Sequence, residues 1–136
     1  GVGPTRVDDV IVVFKAYVTR VGRGPLPGEL SQEEAEQRGW AEVASVTGRK
    51  RRAAPFNFEL ARRAVMLNGA TQVALTKIDV LFPECRGARD FEELPREARD
   101  FVARIEEELK VPVGLIGTGP DVFEIVDRRD ELGLKR

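Results

Sequence analysis

Two polar turns stand directly after apolar runs that are typical of buried strands. The tetrad Thr-Lys-Ile-Asp at 76–79 follows the run 71–75, and the tripeptide Gly-Thr-Gly at 117–119 follows the run 111–116. An aspartate after a strand can accept hydrogen bonds from the ring N1–H and the exocyclic amine of guanine together, while a lysine stem covers the ring face. The glycines let backbone groups approach a flat ligand. Either turn alone is more often an ordinary exposed turn, so the predicted guanine pocket depends on where the strands place both.

A basic loop with the sequence SVTGRKRR at 45–52 is the second candidate site. The planar guanidinium of arginine binds a carboxylate or phosphate through two parallel hydrogen bonds, so the cluster favours a small dianion such as aspartate. A solvated loop and a nucleic-acid patch are the alternatives. The formal net charge of -1 and the lack of interleaved aromatic residues argue against nucleic acid.

Three helices have start or stop signals. Ser31 with Glu34 is a capping box that opens a short helix before Trp40, a predicted core residue. Asn57 caps the run FELARRAVMLN, and Gly69 supplies a left-handed stop. The predicted buried face of this second helix comprises Phe58, Ala61, Val65 and either Leu67 or Leu60. The third helix, 95–110, buries Phe101, Val102, Ile105 and Leu109 and leaves Glu106, Glu107 and Glu108 on a solvated face.

The predicted strands complete a parallel α/β arrangement. The run 7–21 predicts a short helix that passes into a strand near 16–21, and 22–30, with three glycines and two prolines, predicts a loop of defined shape. Helices then alternate with the strands 71–75 and 111–116, which predicts a parallel sheet flanked by helices. Ligands gather beyond the carboxyl ends of such strands, where both polar turns lie.

Composition limits the class of protein. The 136 residues, 42% hydrophobic and 33% charged, predict one soluble domain. Cys85 is the single cysteine and no apolar run is long enough to span a membrane, so a reducing cytoplasm is expected. Histidine is absent, and no zinc site is expected. Gly1 in place of an initiator methionine indicates a fragment, and the charged tail 128–136 is expected to fray.

Five segments together resemble the adenylosuccinate synthetase family. They are GVGPTRV at 1–7, KAYVTRVGRGPLPGEL at 15–30, TGRKRR at 47–52, LTKIDVL at 75–81 and GTGPD at 117–121. The resemblance covers essentially the whole chain but only the C-terminal part of the family's length. It implies an α/β fold, a P-loop-type parallel sheet fragment with flanking helices and long substrate loops. Within it, 1–52 would carry the IMP and aspartate loops and 53–136 the guanine-binding part.

The resemblance also implies a reaction. Members of the family are ligases in which GTP phosphorylates the 6-oxygen of IMP and the aspartate amine then displaces that phosphate, with magnesium assisting. The implied partners are IMP, L-aspartate and the co-substrate GTP, in a cytoplasmic homodimer that binds neither nucleic acid nor membrane. The chain has no Walker loop. The resemblance implies that the general base, the catalytic histidine and the Mg²⁺ ligands lie upstream. The chain alone is expected to be inactive, and a non-catalytic guanine-nucleotide-binding module is the alternative.

The matching motifs imply the site residues. For GTP these are Arg51, Lys77, Ile78, Asp79, Gly117, Thr118 and Gly119. The implied aspartate loop comprises Ser45, Val46, Thr47, Gly48, Arg49, Lys50 and Arg51, and the implied IMP contacts are Val21 and Arg49. No catalytic residue and no metal ligand is implied within the chain. Departures from the family pattern at Val46, Gly28, 53–55 and Gly117 suggest a divergent, archaeal-type member, in which Val46 removes one hydroxyl from the aspartate loop.

Overall fold

The computed structural model describes residues 1–135. The strands are β1 (Ile11–Lys15), β2 (Tyr17–Arg20), β3 (Arg52–Pro55), β4 (Gln72–Thr76), β5 (Val113–Gly117) and β6 (Ile125–Asp127). The helices are α1 (Gln32–Gln37), α2 (Phe58–Asn68), α3 (Ile78–Leu81) and α4 (Arg96–Leu109), with short 3₁₀ helices at Pro4–Arg6, Pro83–Cys85 and Phe91–Glu93. None of the helices in this part of the chain has the length and apolar character needed to cross a bilayer.

A four-stranded sheet in the order β1-β4-β5-β6 forms the centre of the fold. Both β1 and β5 run parallel to β4, whereas β6 is antiparallel to β5. The carboxyl ends of the three parallel strands therefore lie at one edge, where Lys15 is opposite Thr76 in the register. The mostly parallel α/β sheet predicted from the alternation of elements is confirmed, with β6 as an antiparallel addition.

Residues 7–21 fold partly as predicted, since β2 confirms the strand expected near 16–21. The run forms β1 and β2 with Ala16 between them, so the predicted helix over its first part is wrong. The apolar residues fit a helical spacing by coincidence within a β-branched run, which favours extended backbone. Pairing with β4 decides between the two, because each residue from 11 to 15 gains a partner on the central strand.

A separate antiparallel pair, β2 and β3, joins the two ends of the segment 21–51. The sequence did not predict β3. Tyr17 on β2 stacks on Trp40 with ring centroids 5.2 Å apart. These rings and the buried Ala35 and Ala53 form a second, small core, which confirms Trp40 as a core residue.

The predicted ends of α1 and α2 are confirmed. The Ser31 hydroxyl accepts from the N–H of Glu34 at 3.1 Å, and the Glu34 carboxylate accepts from the N–H of Ser31 at 2.9 Å. Asn57 Oδ1 accepts from the N–H of Leu60 at 3.0 Å. Gly69 ends α2 with φ 58°, a left-handed conformation that costs little without a Cβ.

The buried face of α2 is narrower than predicted. Ala61 is buried, and Phe58 and Val65 pack against the core. Leu60 and Leu67 are 57% and 68% exposed, so neither completes the face. The stripe follows the spacing i, i+3, i+7 of the three core residues, and both leucines fall outside it.

The apolar face of α4 lies against the core as predicted. Val102, Ile105 and Leu109 are buried, and Phe101 is half-buried. The solvated face predicted for 106–108 is confirmed for Glu107, whereas Glu106 and Glu108 are partly buried beside cations. Glu106 binds Arg128 at 2.9 Å and Glu108 binds Arg62, because cations on neighbouring elements lie within reach.

The charged tail is held to the fold where it begins. Arg128 also donates to the carbonyl of Val113 at 3.1 Å, and the N–H of Leu134 donates to the carbonyl of Arg129 at 2.7 Å. The prediction that the tail frays is therefore wrong for Arg128. The last residue of the tail, Arg136, lies outside the described part of the chain.

Candidate functional site

The two polar turns meet at one cavity beyond the carboxyl ends of β4 and β5. The cavity has a volume of about 180 Å³ and is lined by Lys77, Asp79, Val80, Arg86, Gly119 and Pro120. Leu75 and Ile116 are partners in the register of the two strands, so the turns that follow them begin side by side. The structure thus brings the turns together as predicted from their positions after parallel strands.

Asp79 is a fixed acceptor in the wall of this cavity. It lies in the first turn of α3, and its side chain is 5% exposed. Its Oδ2 accepts from the Arg86 guanidinium at 2.6 Å, which compensates the burial of the carboxylate. A buried acceptor that water cannot replace distinguishes donors from acceptors on a planar base.

The residue that begins the α3 turn has an uncommon backbone conformation. Lys77 has φ 65°, in the left-handed region that residues with a Cβ rarely adopt. Such conformations cost on the order of 1 kcal/mol and concentrate at ligand sites. This turn leaves Lys77 exposed at the cavity while Ile78 enters the core, where it is fully buried.

The turn 117–119 contributes mainly backbone groups to the site. The Thr118 hydroxyl is buried and donates to the carbonyl of Ala88 at 2.7 Å, so it stabilises the neighbouring turn. A Cβ on Gly119 would come within 2.3 Å of the Glu124 carboxylate, which favours glycine there. Of the residues that the motifs assigned to these two turns, Lys77, Asp79 and Gly119 line the cavity, whereas Ile78, Gly117 and Thr118 do not.

Arg86 and Glu124 belong to this site although no sequence signal pointed to them. Arg86 reaches Asp79 from the turn after the 3₁₀ helix 83–85, and its Nε lies 3.9 Å from the Glu124 carboxylate. Glu124 also accepts from the N–H of Asp121 at 2.9 Å. Spacing could not find the Asp79–Arg86 pair, because irregular turns join the two positions.

The basic loop is a narrow hairpin fixed at its base. Val43 and Lys50 form an isolated antiparallel bridge, and the N–H of Ala44 donates to the carbonyl of Arg49 at 2.9 Å. Gly48 has φ 63° and donates its N–H to the carbonyl of Ala44 at 2.8 Å, which closes the turn. All residues from 45 to 50 are exposed. The loop therefore presents its hydroxyls and cations to solvent.

Charges converge at the base of this hairpin around Glu42, another residue that the sequence reading missed. Its side chain is 19% exposed, and its carboxylate binds Lys15 and Arg51, each at 3.1 Å. The Tyr17 hydroxyl also donates to it. Lys15 stands at the carboxyl end of β1, so the cluster lies at the same edge of the sheet as the cavity.

The pKa values in this cluster show a carboxylate that stays ionised. Burial alone would raise the pKa of Glu42, but hydrogen bonds from Tyr17 and Lys15 outweigh it and hold that pKa below its usual value. Burial and the bond to Glu42 raise the pKa of Tyr17, so its hydroxyl remains a donor. The charge of Lys77 also lowers the pKa of Glu42, so the cavity and the hairpin base are electrostatically linked.

The four adjacent cationic side chains at 49–52 do not all face the same site. Arg52 binds the Glu29 carboxylate at 2.5 Å and donates to the carbonyls of Gly22 and Gly24 at 3.0 and 2.8 Å. It therefore shapes the glycine-proline loop and does not face the hairpin. Val21, the implied IMP contact, begins that loop directly after β2 and is 42% exposed.

A larger cavity of about 350 Å³ beside β1 is less suited to chemistry. Its walls come from β1, β2 and α2 and are mainly apolar, and Lys15 is the one charged residue among them in the described chain. Within residues 1–135, no three His, Cys, Asp or Glu side chains are grouped so that they could hold a metal ion. The smaller cavity and the hairpin base remain the candidate site.

Comparison with known proteins decides the family. The sequence model of adenylosuccinate synthetase matches residues 1–84 and 82–126. The chain belongs to the adenylosuccinate synthetase family. The adenylosuccinate synthetase of Methanosphaera stadtmanae is 55% identical over 131 residues, which are 96% of this chain and 38% of that protein. For the adenylosuccinate synthetase of Thermococcus onnurineus the identity is 53% over 132 residues, 97% of this chain and 39% of that protein.

The chain thus spans about two fifths of the length of these curated relatives. Solved structures share its fold. The fully ligated adenylosuccinate synthetase of Plasmodium falciparum superposes with a TM-score of 0.82 at 23% identity, over 93% of this chain and 41% of that one. The succinoaminodeoxyadenylate synthetase of cyanophage S-2L, solved with dGMP and dATP, gives a TM-score of 0.65 at 23% identity, over 96% of this chain and 37% of that one. At this identity the likeness concerns the fold alone.

Proposed function

We propose that this chain supplies the guanine and aspartate sites of a ligase that forms adenylosuccinate from IMP and L-aspartate while GTP becomes GDP and phosphate. Membership of the adenylosuccinate synthetase family supports the reaction. One observation carries the placement of the sites. The buried carboxylate of Asp79 lines a cavity with Lys77 and Gly119, at the same sheet edge as the cluster around Glu42.

In this proposal Asp79 recognises the guanine base of GTP through hydrogen bonds. Its carboxylate accepts from the guanine N1–H and exocyclic amine, an arrangement that adenine cannot match because it lacks those paired donors. The Lys77 stem covers the ring, and the turn 117–119 offers backbone groups to the base edge. Ile78, Gly117 and Thr118 would then act through backbone and packing, in keeping with their positions behind the cavity.

The hairpin 45–51 is proposed to bind aspartate. Thr47 and Arg51 would hold its carboxylates, and Arg49 would approach both aspartate and IMP, since guanidinium groups bind carboxylates and phosphates through paired hydrogen bonds. Arg51 would also contribute to the GTP side. The backbone of Val21 would touch the IMP ribose, a contact that fits its exposed position after β2.

The remaining machinery is assigned to polypeptide that this chain does not include. The magnesium ion has no candidate ligand cluster among residues 1–135, so its ligands are proposed to lie elsewhere in the enzyme. The catalytic histidine is assigned there because the chain has no histidine, and the general base, an aspartate, is assigned there by the resemblance to the family. A homodimer in the cytoplasm and the division of ligand sites between 1–52 and 53–136 stay predictions.

A full-length chimera provides the test. Residues 1–136 would replace the matching segment of the Thermococcus onnurineus relative, which is 53% identical to it. Adenylosuccinate formation from IMP, GTP and aspartate would be followed for the chimera, for the chain alone and for the parent relative. We expect product from the chimera and the parent and none from the chain alone.

The outcomes separate the three candidate functions. A folded chimera that makes no product while the parent enzyme does would contradict the proposed ligase function. Guanine nucleotide binding by that inactive chimera would instead support a non-catalytic guanine-nucleotide-binding module. Steeply salt-dependent binding of an oligonucleotide to the chain would point to the nucleic-acid alternative.

A further inference from the structure

The Glu42 carboxylate is largely buried and accepts hydrogen bonds at both oxygens, as expected of a residue that orients neighbouring side chains. Its Oε1 accepts from Lys15 at 3.1 Å and from the Tyr17 hydroxyl, and its Oε2 accepts from Lys15 at 3.2 Å and from Arg51 at 3.1 Å. Both oxygens are thus engaged by donors from three positions on the protein. With 19% of its side chain exposed, Glu42 has little room for a ligand of its own.

Backbone contacts place Glu42 and Arg51 opposite each other across the hairpin. The N–H of Arg51 donates to the carbonyl of Glu42 at 2.8 Å. The next pair toward the tip of the hairpin is the bridge between Val43 and Lys50. The ion pair between the side chains of Glu42 and Arg51 therefore joins the two arms of the hairpin at its base. Every loop residue from 45 to 50 projects beyond this closure.

The ion pair uses only part of the Arg51 guanidinium. Its hydrogen bond to Glu42 involves one terminal nitrogen, while the buried Nε has no hydrogen-bond partner among the described residues. A guanidinium is planar, so fixing one nitrogen sets the directions of the other N–H groups. Because 34% of the Arg51 side chain is exposed, the hydrogen-bonding capacity left for a ligand lies at the other terminal nitrogen and not at the buried Nε.

We propose that Glu42 is a positioning residue for the carboxylate-binding hairpin, which it serves by holding Arg51 in the orientation that receives the substrate's carboxylate. This inference rests on the proposed function of the hairpin. Glu42 also keeps Lys15 and Arg51 together at the hairpin base, where the two cations would otherwise repel each other. The prearranged guanidinium lowers the ordering cost when a dianionic amino acid binds.

Glu42→Gln in the full-length chimera tests this role. The amide keeps one oxygen but loses the charge, so either Arg51 or the Tyr17 hydroxyl loses its acceptor, and a carboxylate no longer holds Lys15 and Arg51. We expect the KM for aspartate to rise about tenfold, the size of effect that one charge-assisted hydrogen bond has on an affinity. The KM for IMP and the kcat should remain close to those of the unmutated chimera, because the reacting groups are untouched.

The chain offers a matched control on α1, at a residue that contacts the same hairpin. Glu36 binds Lys50 at 3.4 Å with 55% of its side chain exposed, and such a solvated pair contributes little. Glu36→Gln removes a charge of the same sign beside the same loop and should leave the KM for aspartate unchanged. If Glu42→Gln does not fold, as judged by its unfolding temperature, Glu42→Asp replaces it, because the shorter side chain withdraws from Arg51 while keeping the charge.

A double-mutant cycle shows whether Glu42 acts through Arg51. If it does, Glu42→Gln adds almost nothing to the aspartate KM of Arg51→Leu, whereas independent roles give multiplied effects. Product from the unmutated chimera with an unchanged aspartate KM in Glu42→Gln would overturn this inference and leave the proposed function in place. Absence of product from the folded, unmutated chimera would overturn the proposed function and this inference together.

Discussion

Asp79→Asn is the most direct perturbation of the proposed guanine pocket. The substitution keeps the size of the side chain and replaces one acceptor oxygen with an NH₂ donor. In guanine both facing groups are donors, so the amide would place a donor against a donor. Xanthine carries a carbonyl oxygen where guanine has its amine, and an asparagine amide matches that pattern.

The structure sets the size of the effect. The Asp79 side chain is 5% exposed, so water cannot substitute for the lost acceptor. Losing one hydrogen bond to a charged acceptor, worth about 2 kcal/mol, predicts roughly thirtyfold weaker binding of guanine nucleotide. Binding of the xanthine nucleotide should become stronger than in the unmutated protein.

Calorimetric titration of the full-length chimera with GDP and XDP measures both effects without turnover. Asp100→Asn is the matched control, since its carboxylate lies on the exposed face of α4 with 71% of its side chain exposed. Arg86 loses a charged partner in Asp79→Asn, so the unfolding temperature must be measured alongside. An unchanged preference for GDP over XDP in a folded variant would refute the assignment of Asp79 as the base-reading residue.

Three further expectations test other parts of the structure. Arg51→Leu in the chimera should raise the KM for aspartate far more than that for IMP, and equal increases would contradict the role of the hairpin. Cys85 is fully buried and burial raises its pKa to about 11, so iodoacetamide should modify it only after unfolding; rapid labelling of the native chain, followed by mass spectrometry, would contradict this burial. Ile105→Ala should lower the free energy of unfolding in urea by about 3 kcal/mol, and a negligible change would mean that α4 does not pack on the core.

Local signals in the sequence determined the helix ends and the strand ends. Ser31, Asn57 and Gly69 act on backbone groups within a few residues of themselves, so their types and spacing were sufficient to predict α1 and α2. The apolar runs before 76–79 and 117–119 likewise placed both polar turns at strand ends. Because parallel strands share one carboxyl edge, the meeting of these turns at a cavity was predictable as well.

Other local signals were ambiguous until long-range pairing resolved them. The run 7–21 fits both a helical stripe and a β-branched strand, and partners on β4, some sixty positions away, select the strand. β3 has no distinctive pattern of its own and exists because β2 lies beside it. A strand at the edge of a sheet depends on its neighbour for hydrogen bonds, and the identity of that neighbour is a property of the whole chain.

The sequence by itself determined the kinds of residue available to the candidate site: an aspartate after a strand, a glycine turn and a basic hairpin. Only the tertiary structure decided which residue forms an ion pair with each of their charged side chains. It pairs Arg86 with Asp79, draws Arg51 to Glu42 and turns Arg52 away to Glu29. These pairs connect residues from separate turns and loops that only folding brings together, and burial makes a partner necessary for Asp79 and Glu42.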